Sequence, residues 1–592
     1  MTRRQSLLAG GIIVVAALAA YHNSFHGVFF FDDRVSITDN PSIQHLGAIG
    51  RVLNPPPVAY TVVGRPLFNL SFAINYALSG ADPWSYHVVN LLIHILAGLT
   101  LFGIMRRTVG KAGPALAVAL IWTVHPLQTE AVTYVSQRAE SLMGLFYLLT
   151  LYCFIRSTDE SEKGLQVSSF KFQIFSVAAC LFGMATKEVM VTAPVMVFLY
   201  DRTFIAGSFR AAWRRRWRLY LGLAGTWLFL GYLMANFSAK ARPSIGVGVV
   251  GSWWVYLLTE CRVIVRYLGL AVWPHPLVFD YGIWRPRATW DLAPYVVVVV
   301  ALAAGAAWAL FGEFRISKFR ISKFAGFAGA WFFIILAPTS SVVAVASQPM
   351  AEHRMYLPLA AVIAVAVVGF YTLLERSMGF QPMSSRGHGL EARATFIAGL
   401  TPVLAIIIIC ICLTVRRNED YRSEIALWSD TVSRWPSSDR AQGNLGLALA
   451  DQERWPEAIA RYEEALRLAP DLVEVRYNLG YALFRSGRMP EAAAAYAQVV
   501  RQKPDYADAY NNLGNVLAEE SRWPEAAAAY EQVLRLEPDS VQAHYNLGVV
   551  FAQQGRTAEA IAEFETVIRL DPDNAEARAN LAQARGQQSP NP

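Results

Sequence analysis

The sequence predicts an all-α protein in two parts: a polytopic bundle of about 11 or 12 transmembrane helices over residues 1–416, followed by a solenoid of helical hairpins over 439–592. Three observations carry this reading. Hydrophobic side chains make up 54% of the 592 residues and charged ones only 16%, well under the roughly 25% charged usage of soluble domains, and the mean hydropathy is +0.31. Apolar runs of helical length recur up to about residue 416, as a hydrocarbon core about 30 Å thick requires. Beyond them the tripeptide Asn-Leu-Gly returns at Asn444, Asn478, Asn512 and Asn546, each 34 residues after the last.

Spans are expected at 6–21, 86–105, 113–128, 141–156, 172–186, 188–200, 218–236, 293–311, 324–341, 356–374 and 395–415. The net charge of +7 does not point to nucleic acid, because Lys and Arg collect beside the apolar runs ("MTRR", "MRRTVGK", "WRRRWR", "FRISKFRISKF"), as topology signals do. Residues 251–273 are apolar enough to cross but hold Glu260, Arg262 and Arg266. Counted as a span they would put "FRISKFRISKF" outside, so an in-plane or half-inserted helix is expected there. The N-terminus and the basic loops, 375–394 included, are then cytoplasmic. The loops at 22–85, 125–140, 274–292 and 342–355 and the C-terminal repeats face outside together. Cys153, Cys180, Cys261, Cys410 and Cys412 lie in apolar segments without metal-ligand spacing, which indicates core thiols rather than disulfides or zinc ligands.

A period of 34 residues is that of tetratricopeptide repeats. Other positions keep the same phase: Ala458, Ala492, Ala526 and Ala560; Tyr462, Tyr496, Tyr530 and Phe564; Pro470, Pro504, Pro538 and Pro572. Four repeats are expected at 439–472, 473–506, 507–540 and 541–574, with a capping helix from Ala575 to Ala584 and a connecting half-repeat helix over 417–438. Such an array presents a concave surface suited to an extended peptide.

Ionisable groups recur at the outer ends of the expected spans, where burial is costly and usually functional. They are Asp32 and Asp33 in "FDDRVSITDNP"; His125, Glu130, Arg138 and Glu140 in "HPLQTEAVTYVSQRAE"; Lys187 and Glu188 in "ATKEVMV"; and Glu352, His353, Arg354 and Tyr356 in "AEHRMYLP". Adjacent carboxylates offer a general base or metal ligands, and cations offer clamps for phosphate. Blander readings stand beside these. An Asp pair is commonly solvated or caps a helix, as Glu130 could, and His125 before Pro126 ends one. Arg138, Lys187 and Arg354 could snorkel to headgroups. Asn75, Asn90 and His94 could satisfy backbone groups between helices.

Taken together, "FDDRVSITDNPSIQ", "GRPLFNLSFAINYALSGADPWSYHVVNLLIH", "HPLQTEAVTYVSQRAE", "TKEVMVTAPVMVFLYD", "VFDYG" and "AEHRMYLP", followed by the repeats, resemble the transmembrane and tetratricopeptide repeat-containing O-mannosyltransferases and their bacterial relatives, of the glycosyltransferase C superfamily. The chain departs from the family in having few repeats and in "EHR" where a simpler "ER" is expected. The resemblance implies an uncleaved first helix, although "ALAA" after the "TRR" flank fits a signal-peptidase site. It implies a multi-pass protein of the bacterial inner membrane or the endoplasmic reticulum, with active site and repeats extracytoplasmic.

The implied reaction is inverting transfer of a hexose, mannose by resemblance, from a polyprenyl phosphate to Ser or Thr hydroxyls of a protein that the repeats recruit. Asp32 and Asp33 fall on the family's acidic motif and are the expected catalytic residues. Arg65, His125, Glu130, Arg138, Glu140, Lys187, Glu188, Glu352, His353, Arg354 and Tyr356 are the expected donor-phosphate and substrate-binding set. No metal is required if basic side chains stabilise the leaving phosphate, though the carboxylate pair could hold a divalent cation. The competing readings are a glycan or lipid acceptor, a non-catalytic membrane scaffold with a docking array, and a transporter, which would show repeated halves that this chain lacks.

Overall fold

A computed structural model describes residues 2–59, 61–240, 253–282, 288–312, 319–338, 350–377 and 390–588. The chain divides into two compact units, Met1–Leu427 and Trp428–Pro592. Among the described residues no strand is formed.

In the first unit seven described helices are long and apolar enough to cross a membrane: those within Arg3–Tyr21, Pro83–Val109, Val135–Glu162, Gln166–Met184, Phe209–Asn236, Trp290–Phe311 and Thr401–Arg422. An eighth crossing arises if Ala112–Val124 and Pro126–Thr133, bent 54° apart, count as one. The bend has a local cause. His125 precedes Pro126 and takes an extended backbone, φ −72° and ψ 133°, as a residue before proline must, so the stretch expected to run straight to 128 turns at 124. Ser322–Ala337 and Pro358–Leu374 are shorter apolar helices.

The expected span at 188–200 does not form one continuous helix. It forms a 3₁₀ turn at Glu188–Thr192, an eight-residue α-helix at Ala193–Tyr200 and a π turn at Asp201–Ile205. Pro194 can open a helix but not lie inside one, and its β-branched neighbours Val189, Val191, Thr192 and Val195 are poor helix formers. Trp253–Val272 is a continuous helix; the side chains of Trp253 and Trp254, and much of "FRISKFRISKF", lie outside the described residues.

Helices pack closely where the site is built. The Arg138–Glu162 helix lies against both Pro83–Val109 and Gln166–Met184. Its Gly144 is required by contact, since a β-carbon there would sit 2.5 Å from the Tyr356 ring, far inside the ordinary carbon–carbon separation of about 3.5–4.0 Å. The segment after the first span folds as a cap with its own small core of Ile37, Ile43, Val52, Phe68, Phe72 and Tyr86, closed underneath by Val135 and Ala139. Polar groups pin it: Asn40 donates to Asn69 Oδ1 at 3.0 Å, and Asn69 donates to the Val52 carbonyl at 2.7 Å.

The second unit is a stack of antiparallel helix pairs: Asp439–Ala450 with Trp455–Leu468, Val473–Arg485 with Met489–Gln502, Ala507–Glu519 with Trp523–Leu536, and Val541–Gln553 with Thr557–Leu570, ending on Ala575–Gln588. Small residues make the crossings possible, with Ala458, Ala492, Ala526 and Ala560 completely buried.

Candidate active site

The acidic turn opens on Phe31, which holds φ +50°, a conformation a side chain of this size rarely adopts. The reversal treats the two carboxylates differently. Asp33 is completely buried; its Oδ1 accepts the Ser136 N–H at 2.6 Å and its Oδ2 the Phe30 N–H at 3.4 Å. Asp32 keeps partial exposure, and its backbone N–H donates to Tyr134 Oη at 3.0 Å. Burial pushes the Asp33 carboxyl well above the usual carboxylate range, the Ser136 and Phe30 amides offset part of this, and the neighbouring Asp32 charge adds to it. Beneath the turn the Phe30 ring stacks on Tyr134 at 4.7 Å and meets Phe279 at 5.9 Å and Tyr421 at 6.0 Å, so three distant segments converge on it.

Two ionic clusters are built from the remaining corners. In one, Glu130 accepts the His353 N–H at 2.9 Å and the His353 ring Nδ1–H at 2.8 Å. Next to it Glu352, fully buried, accepts from the Val278 N–H at 2.6 Å and from Tyr281 Oη at 2.8 Å, with Arg417 Nη2 3.6 Å away. Arg417 in turn bonds Asp420 at 2.9 Å. Burial lifts the Glu352 pKa to about 7, which Arg417 opposes and Glu130 reinforces.

In the other cluster Lys187 pairs with Glu140, both almost entirely buried. Arg354 is buried too and lies among Tyr267, Glu260, Tyr256 and Glu140; burial alone would weaken its hold on the proton, and these groups more than reverse that. Tyr267 donates to the Ala351 carbonyl at 2.7 Å, fixing the Trp253–Val272 helix against the start of "AEHR". Arg65 and Glu188 stand 3.5 Å apart with about a third of each side chain exposed. Among the described residues no group of three or more His, Cys, Asp or Glu is arranged to hold a metal ion.

Comparison with known proteins agrees with the family resemblance. Residues 63–235 match the model of the dolichyl-phosphate-mannose-protein mannosyltransferase family, and tetratricopeptide-repeat models match overlapping stretches from 415 to 588. Protein O-mannosyl-transferase F38B6.6 of Caenorhabditis elegans is 23% identical over 78% of this chain and 62% of its own length. The chain is similar in sequence to the repeat-bearing protein O-mannosyl-transferases. TMTC1 of Homo sapiens is 24% identical over 78% of this chain and 55% of its own length, so the chain spans about six-tenths of the curated relatives it matches. The crystal structure of MamA aligns with 27% of this chain and 93% of its own, at 23% identity and a TM-score of 0.25.

Several positions that the O-mannosyl-transferase resemblance singles out have architectural roles. Arg138, expected as a phosphate clamp, is completely buried and spends its donors on neutral acceptors: Asn90 Oδ1 at 2.6 Å, Asn75 Oδ1 at 2.8 Å, the Tyr86 carbonyl at 3.1 Å and the Ser71 carbonyl at 3.2 Å. It is the post on which the cap and two helices are hung, which also accounts for Asn75 and Asn90. His125 is buried and accepts the Leu127 N–H at 3.2 Å, capping the turn after the bend. Tyr356 is buried, with its hydroxyl 2.9 Å from His94 Nδ1 and its carbonyl accepting from Trp122 Nε1 at 2.9 Å. Sequence reasoning did not assign Arg417, Tyr281, Tyr267 or Glu260 to the site. The intramembrane charge of Glu260 and the place of Tyr281 in "VFDYG" were the signals that could have found two of them.

Proposed function

We propose that this protein is a membrane glycosyltransferase that moves mannose from a polyprenyl-phosphate carrier to Ser or Thr hydroxyls of a polypeptide on the extracytoplasmic side, with inversion at the anomeric carbon. The observation that carries this is the division of labour in the acidic turn: Asp33 is sealed and pinned by two main-chain N–H groups, while Asp32 keeps partial exposure. Asp32 is the general base. Its carboxylate takes the acceptor proton as the hydroxyl oxygen bonds to the anomeric carbon, and the bond from that carbon to the phosphate oxygen breaks with its electron pair leaving on the phosphate. Arg65, the most exposed cation of the expected set, meets the departing phosphate. Lys187 and Arg354, each held beside a carboxylate, supply positive potential from the walls. The repeats recruit the acceptor and raise its local concentration.

The test is Asp32→Asn against Asp33→Asn in purified protein, with glycopeptide mass spectrometry and polyprenyl-phosphate mannose as donor. Asp32→Asn is expected to lower transfer by about 10² to 10⁴ with unchanged thermal unfolding, whereas Asp33→Asn also lowers the unfolding temperature. Full transfer by Asp32→Asn would overturn the assignment.

A further inference from the structure

An apolar groove of 490 Å³ is bounded by the helices Ala193–Tyr200, Ala293–Phe311 and Phe319–Ala337, within the roughly 300–1,000 Å³ of ligand sites. Ala303, Ala306 and Ala307 share one helical face and give it a shallow floor, and Phe198, Phe333 and Ile334 line the rest. Phe209 and Phe311, which also line it, are well exposed, so the groove opens to the hydrocarbon of the bilayer.

One end of the groove is cationic. Arg202, on the π turn Asp201–Ile205, holds its guanidinium carbon 4.7 Å from the centre of the Phe311 ring and 5.5 Å from that of Phe209, and its Nη1 donates to the Leu310 carbonyl at 2.7 Å. The preceding residue fixes this pose, because buried Asp201 accepts from Arg216 Nη1 at 2.7 and 2.8 Å and from Tyr220 Oη. Among the described residues the Nε and Nη2 groups of Arg202 make no hydrogen bond, and neither is sealed from solvent.

The surroundings add positive charge without cancelling it. Lys323 lies close enough to Arg202 to feel its charge. From Arg202 to Arg218 the sequence holds six arginines and no acid. Asp201, Asp159 and Glu160, carboxylates of the same end, are already matched by Arg216, by Arg107 at 2.8 Å and by Arg156 at 3.2 Å. Trp213, Trp217 and Trp308 are exposed here, as tryptophans at headgroup level are.

This combination calls for a phosphate carried on a hydrocarbon chain, and position excludes the sugar donor. His87 Nε2 lies 3.3 Å from the Gly27 carbonyl, next to the acidic turn. On the same helix, 21 residues further on, Thr108 bonds Tyr200 at 2.8 Å, next to the Arg202 turn. At 1.5 Å per residue these ends are about 30 Å apart, the thickness of a hydrocarbon core. A lipid whose phosphate reaches Asp32 therefore lies in the other leaflet from one whose phosphate reaches Arg202.

We propose that the groove binds an anionic glycerophospholipid of the leaflet at the basic end of the bundle, one acyl chain lying along Ala303 and Ala307 and the phosphate accepting from Nε and Nη2 of Arg202, with Lys323 beside it. A guanidinium presents a phosphate with two parallel N–H groups, and this one is already held in place. The bound lipid ties the short Ala193–Tyr200 helix to its neighbours, a role independent of what the enzyme transfers.

Full-length protein in a neutral detergent is titrated with dioleoyl phosphatidylglycerol, dioleoyl phosphatidylcholine and undecaprenyl phosphate, with native mass spectrometry reading the first adduct. Phosphatidylglycerol is expected to bind about 10-fold more tightly than phosphatidylcholine. Arg202→Gln brings that ratio below about 3-fold, whereas Arg3→Gln, which removes an equal charge from the end where Ser6 meets Arg106, leaves it unchanged. Ala307→Phe, at an exposed position, keeps every cation and weakens both phospholipids by about 10-fold. Equal affinity for the two phospholipids, an unchanged ratio in Arg202→Gln, an equal fall in Arg3→Gln, or displacement of phosphatidylglycerol by undecaprenyl phosphate each overturns the proposal. If Arg202→Gln does not fold, Ala307→Phe decides alone, and phosphatidylglycerol binding at full strength in that variant overturns it.

Discussion

Glu140 and Lys187 meet in the first unit with 5% and 9% of their side chains exposed, whereas in the repeats Arg454–Glu457, Arg488–Glu491, Arg522–Glu525 and Arg556–Glu559 stand three residues apart with about half of each side chain in solvent. The same chemical pair does two different things. In the repeats it recurs at the period of the fold, at the start of each second helix, and water competes for both partners, so its net worth is small. In the first unit it joins residues 47 positions apart in sequence, each of which would be severely penalised alone. Removing one partner from such a pair costs far more than the intact pair contributes.

This contrast can be broken or sharpened by three substitutions. The largest effect is expected from Glu140→Gln, which strands the Lys187 ammonium in a nearly closed pocket; a destabilisation of about 3–5 kcal/mol would appear as a lower unfolding temperature in detergent, partly restored by Lys187→Met in the same chain. An unchanged temperature would mean the pocket is wetter than its burial implies.

A smaller effect, visible only against pH, is expected at Glu352. Its folded pKa of about 7 lies above the ordinary 4.5, so the folded state binds more protons between these values, and stability falls as pH rises from 4.5 through 7. Glu352→Gln should flatten the unfolding temperature over that window; a slope equal to that of the unsubstituted protein would assign the titration to another group. The smallest effect is Arg522→Ala in the repeats, expected to move the melting midpoint by no more than about 2 °C. A larger drop would show that the periodic pairs act as a network.

How legible each unit was follows from the same contrast. The repeats are local: Asn-Leu-Gly, the alanine and the aromatic ring act within one hairpin, so their spacing in sequence is their spacing in space. The bundle is not local. Arg138 reads as a possible clamp because nothing nearby in sequence reveals that Asn75 and Asn90 will receive its donors. Arg417 lies beyond the last expected span and reaches Glu352 only after the whole bundle closes. The stretch 188–200 matched a span in apolarity, but Pro194 and β-branched neighbours broke its helix. The adjacent aspartates were visible as a pair; that one is walled in and the other open depends on the Phe31 reversal and on Ser136, about a hundred residues away.

The glycine that fits under the ring in each repeat makes this array modular. Because every hairpin locks to its own ring, a hairpin can be duplicated or lost without redesigning its neighbours. The array lengthens like a ruler gaining one graduation, so a lineage could change its length by copying units instead of rebuilding a core.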